Sequence, residues 1–437
     1  LYLSNYIEGP EFSFTIEEEP ATPLEFEDVI WDDGPVTPQN LFFGRRELIN
    51  KLLRHYTSVQ KNKPYILYGL TRTGKSSIIK FLGEEITGKS VISNGQKLTI
   101  LHFSMDLDKA DNREDAKEIW SYFIKSCLYN KLEEYALSYS IKLTDFIPRV
   151  NPKAADFEDF LVNLRKAGYY PFITMDEFSY LKSLMQLPKQ RLRPAFLHEL
   201  RQYSFNGLAS FMYVGTYDIK DLITSKEYGI TGQLTHCIDY QLNEIDDVSA
   251  RELMDVLGDK LRFTDDAKDL ISFLSGNVPY FIQIICKNCG FYAVEHKRGY
   301  IGFPELEQVM DVLLGEIDED DDSELKKLTI NPFEDNQYSA TDPIEVHAVI
   351  SSISYLNKNN KHNPRGIGIG ELEKLWADYG IKDYRPRIGE AIALLMEKKI
   401  LEQYDDEGVP VYRIVVDLFR RWWGIEYPDI SLALSPL

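Results

Sequence analysis

The sequence predicts an α/β protein with a mostly parallel sheet flanked by helices, then a helical lid, then a smaller C-terminal domain. Short apolar runs alternate with helix-period segments in the first half of the chain, which is typical of a parallel sheet. A glycine-rich loop joins one of these runs to a helix. Near the C-terminus, three helix-period segments precede two short strands about a turn.

Four apolar runs predict buried strands, at 65–68, 98–103, 171–175 and 209–214. Helix-period residues precede the first run at 48–53, follow the glycine-rich loop at 77–82, and cover about 113–136 and 155–167. Residues 246–314 are predicted to be helical, without a convincing strand, and to form a lid bundle.

The C-terminal segments have the order of a winged helix. Helices are predicted at 344–356, 369–379 and 385–399, followed by strands at 400–404 and 411–415 about the turn Asp405–Gly408. Three helices followed by a two-stranded wing predict a winged-helix domain over 343–425, with 426–437 as a tail.

The charge of the chain is acidic and unevenly distributed. The formal net charge is −20 over 437 residues, which argues against a non-specific grip on DNA or on acidic membranes. Residues 1–40 hold ten acids, five prolines and no Lys or Arg, so we expect an acidic extended arm that lies on a partner surface. The run Glu316–Asp322 predicts an acidic linker, 316–342. No apolar stretch approaches the 18 residues of a membrane span.

The four cysteines favour a reducing, cytoplasmic setting. Cys286 and Cys289 have a metal-site spacing, but no second Cys/His pair lies near them, so a buried structural pair is the favoured interpretation. The chain begins at Leu1 without Met or a signal pattern, and we expect it to be part of a longer protein.

Gly69-Leu-Thr-Arg-Thr-Gly74-Lys75-Ser76 matches the phosphate-binding loop (P-loop) pattern at every fixed position. Glycines let successive N–H groups turn towards phosphates, and the next helix presents its positive N-terminus to the same anion. Lys75 is predicted to reach the β- and γ-phosphates, and Ser76 to bind Mg²⁺. The predicted binders of ATP or ADP in this segment are Gly69, Thr71, Arg72, Thr73, Gly74, Lys75, Ser76 and Ser77.

Two acids follow the third predicted strand directly. Asp176 is expected to hold the Mg²⁺ site together with Ser76, and Glu177 to polarise the attacking water. A second acid indicates a hydrolysing ATPase, and the sequence has no N-K-x-D motif for guanine. An acid pair after a strand can also be a plain loop start, although a P-loop upstream favours the functional interpretation.

Other polar residues are weaker candidates. Thr216 ends the fourth predicted strand, where it can contact the γ-phosphate or the water, or simply form a turn. Arg193 or Arg201 could act as an arginine finger towards a neighbouring subunit, although ordinary surface arginines are favoured.

Four motifs together resemble a known family. The segment 42–48, Phe-Phe-Gly-Arg-Arg-Glu-Leu, resembles the opening motif of the STAND ATPases and their archaeal-ATPase and origin-recognition relatives in the AAA+ class. The P-loop with Arg72 is similar to their arginine-containing form. Gly276–Pro279 resembles their lid motif, and 418–423 the end of their winged-helix domain. The resemblance spans about 41–425, with 41–240 as the ATPase core and 241–315 as the lid.

The resemblance implies roles position by position. Phe43, Gly44 and Arg45 would line the adenine and ribose, and Pro279 would press on them from the lid. The winged helix would pack on the nucleotide core in the ADP form. Asn277 and Val278 stand where a second-sensor arginine would be expected, which favours the STAND branch.

The sequence is compatible with two functions. One is an ATP-dependent switch that self-assembles and resets by slow hydrolysis, as in bacterial signalling or antiviral defence, with an effector upstream or on a protein partner. The other is a DNA-binding ATPase of replication, transposition or transcription. The wing tip Asp405-Asp406-Glu407 is acidic, whereas a DNA-facing wing is normally basic. Protein packing by the winged helix is therefore favoured over DNA binding.

Overall fold

A computed structural model describes thirteen segments of the chain. They are 24–25, 29, 43–58, 63–70, 72–113, 116–185, 195–217, 219, 234, 236–258, 260–315, 344–360 and 364–437. The linker 316–342, most of the predicted arm, Phe42, Thr71 and Arg193 lie outside the described residues.

A six-stranded sheet carries the first half of the chain. Its strands are β1 (Tyr65–Gly69), β2 (Ser90–Ser93), β3 (Gln96–Asp106), β4 (Tyr169–Asp176), β5 (Ser210–Gly215) and β6 (Ile238–Leu242). The spatial order is β2-β3-β4-β5-β1-β6, and every neighbouring pair is parallel except β2 with β3. The predicted α/β class with a mostly parallel sheet is confirmed, and β1 lies between two strands that come later in the sequence.

Both faces of the sheet are covered by helices, as a parallel sheet requires. The helices in this half are α1 (Arg46–Thr57), α2 (Lys75–Ile86), α3 (Leu107–Asp111), α4 (Ala116–Ser121), α5 (Asn130–Tyr139), α6 (Ala154–Lys166), α7 (Leu181–Met185) and α8 (Ala195–Phe205). Alternate residues of β1 enter different cores: Tyr65 and Leu67 pack in the core with α1 and α2, whereas Ile66 and Tyr68 belong to the larger core on the other face.

Two edge strands were not predicted from the sequence. β2 has a single buried residue, Val91, and β6 is only partly buried, so neither forms an apolar run.

The helix predicted over 113–136 is also divided, because an eight-residue π-helix, Tyr122–Tyr129, lies between α4 and α5.

The lid region contains α9 (Asp247–Met254), α10 (Asp265–Ser275), α11 (Pro279–Glu295) and α12 (Phe303–Leu313). The expectation that this region has no strands was wrong. Two-residue strands β7 (Arg262–Phe263) and β8 (Tyr300–Ile301) pair in parallel. Strands this short have no readable period, so a sequence pattern does not detect them. Cys286 and Cys289 are fully buried in α11, and no group of three or more metal-binding side chains occurs among the described residues.

The C-terminal unit begins with three helices, as predicted. Its elements are α13 (Ile344–Leu356), β9 (Ile367–Gly368), α14 (Ile369–Asp378), α15 (Tyr384–Glu397), β10 (Leu401–Asp406), β11 (Val409–Ile414), α16 (Asp417–Glu426) and α17 (Ile430–Leu434). The hairpin gains β9 as a third strand, in the order β10-β11-β9. The segment 426–437, expected as a tail, contains α17, whose Ile430 and Leu434 are buried.

Helix α13 is the centre of this unit, and two hydrogen bonds join it to large buried side chains. Trp376 donates from its indole N–H to Ser352, and Trp423 donates to Ser351, each at 2.9 Å. Because Tyr and Trp carry a polar atom into the core, these bonds remove the cost of burying it.

Two described residues of the predicted arm pack on the chain itself. Leu24 and Val29 are buried. Val29 lies close to Gly290 of α11, since a β-carbon added at Gly290 would be 2.8 Å from Cγ1 of Val29. At Val29 the arm covers the lid helix α11 of its own chain. Within the described segments no helix combines the length and apolarity that crossing a bilayer requires.

Candidate functional site

The P-loop lies between β1 and α2, where the sequence predicts it. Gly74 precedes the first residue of α2 with a φ of +91°, and Arg72 has a φ of +67°. A β-carbon at Gly69 would be 2.3 Å from the carbonyl oxygen of Leu242, because β6 passes against the loop. Glycine is therefore needed at 69 for close packing and at 74 for its backbone conformation.

Lys75 is buried at the first position of α2. Its ammonium donates to the carbonyl oxygens of Leu70, at 2.7 Å, and Gly69, at 3.3 Å, and Thr73 donates to the same Leu70 oxygen at 2.7 Å. Burial lowers the pKa of Lys75 to about 8, against the raising effect of the neighbouring acids Glu177 and Asp176. A cation is thus held inside the curve of the loop, where an anion would offset its desolvation.

The acid pair meets the P-loop helix directly. The Ser76 hydroxyl donates to Oδ2 of Asp176 at 2.9 Å, across 100 residues of sequence. The backbone N–H of Glu177 donates to Oδ1 of the same carboxylate at 3.0 Å. Burial is the main cause that raises the pKa of Asp176, and the bonds from Ser76 and Glu177 oppose it.

Glu177 follows with a strained backbone, at a φ of +49°. This conformation ends β4 and starts the short 3₁₀ helix Phe178–Tyr180. Burial, and then the charge of Asp176, raise the pKa of Glu177, while Lys75 lowers it. Non-glycine residues with positive φ are uncommon and often occur at functional sites, so the strain supports a functional interpretation of Glu177.

Thr216 lies just past β5 and is buried. Its hydroxyl lies 3.0 Å from that of Ser179, and its backbone N–H donates to the Ser179 hydroxyl at 3.3 Å. Ser179 was not singled out from the sequence. It joins the loop after the acid pair to the end of the neighbouring strand.

Asp106 is a second residue that sequence analysis missed. It ends β3 and is the register partner of Asp176 in β4. Its carboxylate accepts from the N–H of Asp108 at 3.1 Å and so caps α3. The available signal was its position after an apolar run, the same signal that identified Asp176.

The opening motif contacts the segment that joins the sheet to the lid. The Arg45 guanidinium donates to the carbonyl oxygens of Asn243 and Glu244, and burial lowers the pKa of Arg45. Gly44, with a φ of +71°, lies against Ser249 of α9, and Phe43 is partly buried on the main core. These contacts tie the motif to the lid, and its predicted role beside adenine stays a prediction.

The lid turn lies close to the P-loop. Pro279 is the first residue of α11, and the ring of the next residue, Tyr280, has the Arg72 guanidinium carbon 4.5 Å from its centroid. The backbone carbonyl oxygen of Asn277 accepts from the Ile245 N–H at 3.1 Å, and its side-chain amide donates to the Asp247 carboxylate at 2.6 Å.

The structure brings together Lys75, Ser76, Asp176 and Glu177, with Thr216 on the adjacent strand and Ser77 half-buried in the first turn of α2. Arg201 is exposed on α8, and its charge acts on Cys237, which precedes β6 at the opposite, amino end of the strands. Arg201 is therefore remote from this chain's own P-loop, and an arginine-finger role towards a neighbouring subunit stays a prediction.

No protein-family model matches the sequence, and no curated protein matches it. Solved structures do match its fold. A Walker-type ATPase of Pyrococcus abyssi has a TM-score of 0.58 at 15% identity, over 90% of this chain and 99% of that one. The ORC2 protein of Aeropyrum pernix, in ADPNP–ADP complexes, has a TM-score of 0.55 at 14% identity, over 90% of this chain and 97% of its own. The chain has the fold of the AAA+ class of P-loop ATPases.

Proposed function

We propose that this chain binds ATP with Mg²⁺ in the loop Gly69–Ser76 and hydrolyses it slowly, as a molecular switch of the STAND and AAA+ type. The observation that carries the proposal is the 2.9 Å hydrogen bond between Ser76 and Asp176 beside the buried Lys75. A P-loop, a hydroxyl and a strand-end carboxylate are the parts that nucleoside triphosphatases use to hold phosphate and metal. Here they converge from three separate elements.

The residues present fit a magnesium ion. Mg²⁺ prefers oxygen ligands and keeps several waters, so one hydroxyl and one carboxylate that can contact it directly or through water are sufficient protein partners. Ser76 and Asp176 would supply them. When bound, the ion would neutralise phosphate charge. The hydroxyl–carboxylate bond already aligns both oxygens at the carboxyl end of β4.

Glu177 is the proposed general base. Its partial burial raises its pKa, so its carboxylate accepts a proton from water more readily than a fully solvated one does. Ser179 and Thr216 would orient the γ-phosphate side, since their hydroxyls lie 3.0 Å apart at the edge of β5. Lys75 would turn from the loop carbonyls towards the phosphates.

We propose that the C-terminal unit is a winged helix that packs on the lid and reports nucleotide state. Three contacts support this. A β-carbon at Gly276 of the lid turn would be 2.7 Å from the Val415 carbonyl oxygen, and the Arg413 guanidinium carbon lies 5.5 Å from the Phe273 ring centroid. The third is the ion pair of Arg421 with Glu307 at 3.3 Å. A change at Pro279 would thus reach the C-terminal unit through one short turn.

The charges of the C-terminal unit favour this role over DNA binding. Each of its six arginines forms an ion pair within the chain. The pairs are Arg365–Glu371, Arg385–Glu373, Arg387–Glu345, Arg413–Glu402, Arg420–Asp417 and Arg421–Glu307. DNA-binding surfaces need an excess of cations available to phosphates, whereas residues 344–437 hold fourteen acids against six arginines and six lysines. We propose instead ATP-dependent self-association in the cytoplasm, with an effector on a partner protein.

Isothermal titration calorimetry of the full chain with Mg-ATP tests the proposal. We expect saturable binding that Lys75→Ala abolishes, because a buried cation beside the phosphates is lost. Lys89→Ala, an exposed lysine just after α2, is the matched control and should bind as wild type does. Light scattering should show ATP-dependent growth in particle size without DNA. Absence of binding by folded wild-type protein, or growth only with DNA, would refute the corresponding part of the proposal.

A further inference from the structure

The contact between Arg72 and Tyr280 joins the P-loop to the lid. The guanidinium carbon lies 4.5 Å from the ring centroid, within the range of a favourable cation–π contact. Arg72 makes this contact from a left-handed backbone, at a φ of +67°, which a residue with a β-carbon adopts at a cost. Glycine would satisfy the backbone better, so an arginine here is explained by what its side chain does.

Tyr280 is held in place by its neighbours. It is the second residue of α11, and the flanking Val278 and Phe281 are 1% and 0% exposed. Asn277 fixes the same turn to Ile245 and Asp247. Because the backbone on both sides of Tyr280 is anchored in the lid, its ring cannot move with Arg72 when the P-loop and the lid separate. The contact therefore persists only while lid and loop stay together.

The charge of Arg72 also acts inside the site, because it is one of the charges that act on buried Lys75. On the tyrosine ring, the guanidinium therefore stays near the place where phosphates are proposed to bind. If nucleotide binds between loop and lid, as the proposed site implies, it would leave only after the lid lifts, and lifting the lid would separate Arg72 from Tyr280.

We propose that Arg72 and Tyr280 form a clasp between P-loop and lid, and that Tyr280 is a positioning residue that slows the release of bound nucleotide. This inference rests on the proposed nucleotide site. It adds to that site Tyr280, a residue that is not predicted to contact phosphate or metal. The loss of a cation–π contact at a partly exposed position corresponds to roughly a two- to fivefold increase in the rate of nucleotide release.

Displacement of a fluorescent ADP from the full chain by excess ADP measures the release rate. Tyr280→Leu should release the nucleotide about two- to fivefold faster, whereas Tyr280→Phe should keep the wild-type rate because the ring face remains. Tyr355→Leu is the matched control: it removes a similar contact, with Lys358 at 4.4 Å, from the end of α13. Its release rate should equal that of wild type.

A second measurement does not depend on nucleotide. Arg72→Leu keeps a β-carbon at the strained position, so it removes only the guanidinium. The measurement is the free energy of unfolding of the nucleotide-free protein in urea. The double variant Arg72→Leu with Tyr280→Leu should lose less of this free energy than the sum of the losses in the two single variants.

Additive losses, or a Tyr280→Leu variant that releases ADP at the wild-type rate, would overturn the clasp. A Tyr280→Phe variant as fast as Tyr280→Leu would do the same. If the wild-type protein binds no ADP at all, both the proposed nucleotide site and the slow release are refuted. The urea unfolding of the single and double variants would still decide whether the contact between Arg72 and Tyr280 exists.

Discussion

Asp106 and Asp176 are register partners at the carboxyl ends of the neighbouring parallel strands β3 and β4. With Glu177, this places three carboxylates at the sheet edge that also holds Lys75. The charge of Asp106 is one of the causes that raise the pKa of both Asp176 and Glu177, after burial. Asp106 accepts from the Asp108 N–H, so it caps α3 while adding negative charge near the proposed phosphate site.

Asp106→Asn should tighten Mg-ATP binding. Asparagine is as good an N-cap as aspartate, so α3 is kept while one charge that repels phosphate is removed. We expect affinity to rise about two- to fivefold at low salt, the size of a partly screened charge interaction. Calorimetry measures it, with Glu133→Gln on exposed α5 as the control for an equal loss of charge. Weaker binding would instead place Asp106 among the groups that hold the metal's water.

Glu177→Gln should separate binding from hydrolysis. The amide keeps the shape of the side chain but cannot accept a proton from water, so we expect hydrolysis to fall by about a hundredfold or more. ATP affinity should stay within about threefold of wild type, because Lys75, Ser76 and Asp176 are unchanged. Phosphate release and calorimetry on the same sample measure the two quantities. Hydrolysis at the wild-type rate would assign the base to another residue.

Gly276→Ala should destabilise the protein more than a matched glycine change. Gly276 ends α10 with a φ of +55°, and a β-carbon there would meet the Val415 carbonyl oxygen at 2.7 Å. Gly380 lies in the same backbone region, at +78°, with nothing within 4 Å of an added β-carbon. Gly380→Ala should therefore cost about 1 kcal/mol, and Gly276→Ala about 1–2 kcal/mol more. Equal losses in urea unfolding would show that the turn yields without displacing Val415.

The core of the site could be predicted from the sequence because its residues obey local rules. A P-loop needs fixed glycine spacing, and a buried strand that ends in an acid is visible as an apolar run followed by a charge. Both signals can be recognised in the sequence without knowledge of the fold. Asp106 obeyed the second rule too, but its apolar run was read only to residue 103, and the strand continues to 106.

Other features were missed for different physical reasons. The hairpin of β2 and β3 turns at Asn94-Gly95, both with positive φ, and this dipeptide is a strong hairpin signal that the apolar pattern obscured. β6 has no such signal, because Asp239 and Gln241 interrupt its apolar residues and its pairing with β1 is set by distant residues. The Arg45 contacts with 243–244 also depend on tertiary placement, so the motif alone could not show them.

His102 should make stability fall in mild acid. It lies buried in β3 against Gly83 of α2, where a β-carbon would be 2.0 Å from its Nδ1, and its Nε2 is 2.9 Å from the Thr174 hydroxyl. Burial, assisted by the charge of Lys131, lowers its pKa to about 3. The unfolded chain takes up a proton near pH 6.5, and the folded chain does so only near pH 3. The contribution of His102 is therefore full above pH 6.5 and is lost as pH falls from 6.5 towards 3.

The non-titrating variant His102→Gln isolates this effect. Glutamine can keep a hydrogen bond to Thr174, and every other titrating group, including His55 and His347, is shared with wild type. Between pH 6.5 and 5.5, the free energy of unfolding of wild type should fall by about 1 kcal/mol more than that of His102→Gln. Urea unfolding at the two pH values measures the difference. Parallel pH profiles would mean that the folded protein accepts the proton at His102, which burial between sheet and helix should prevent.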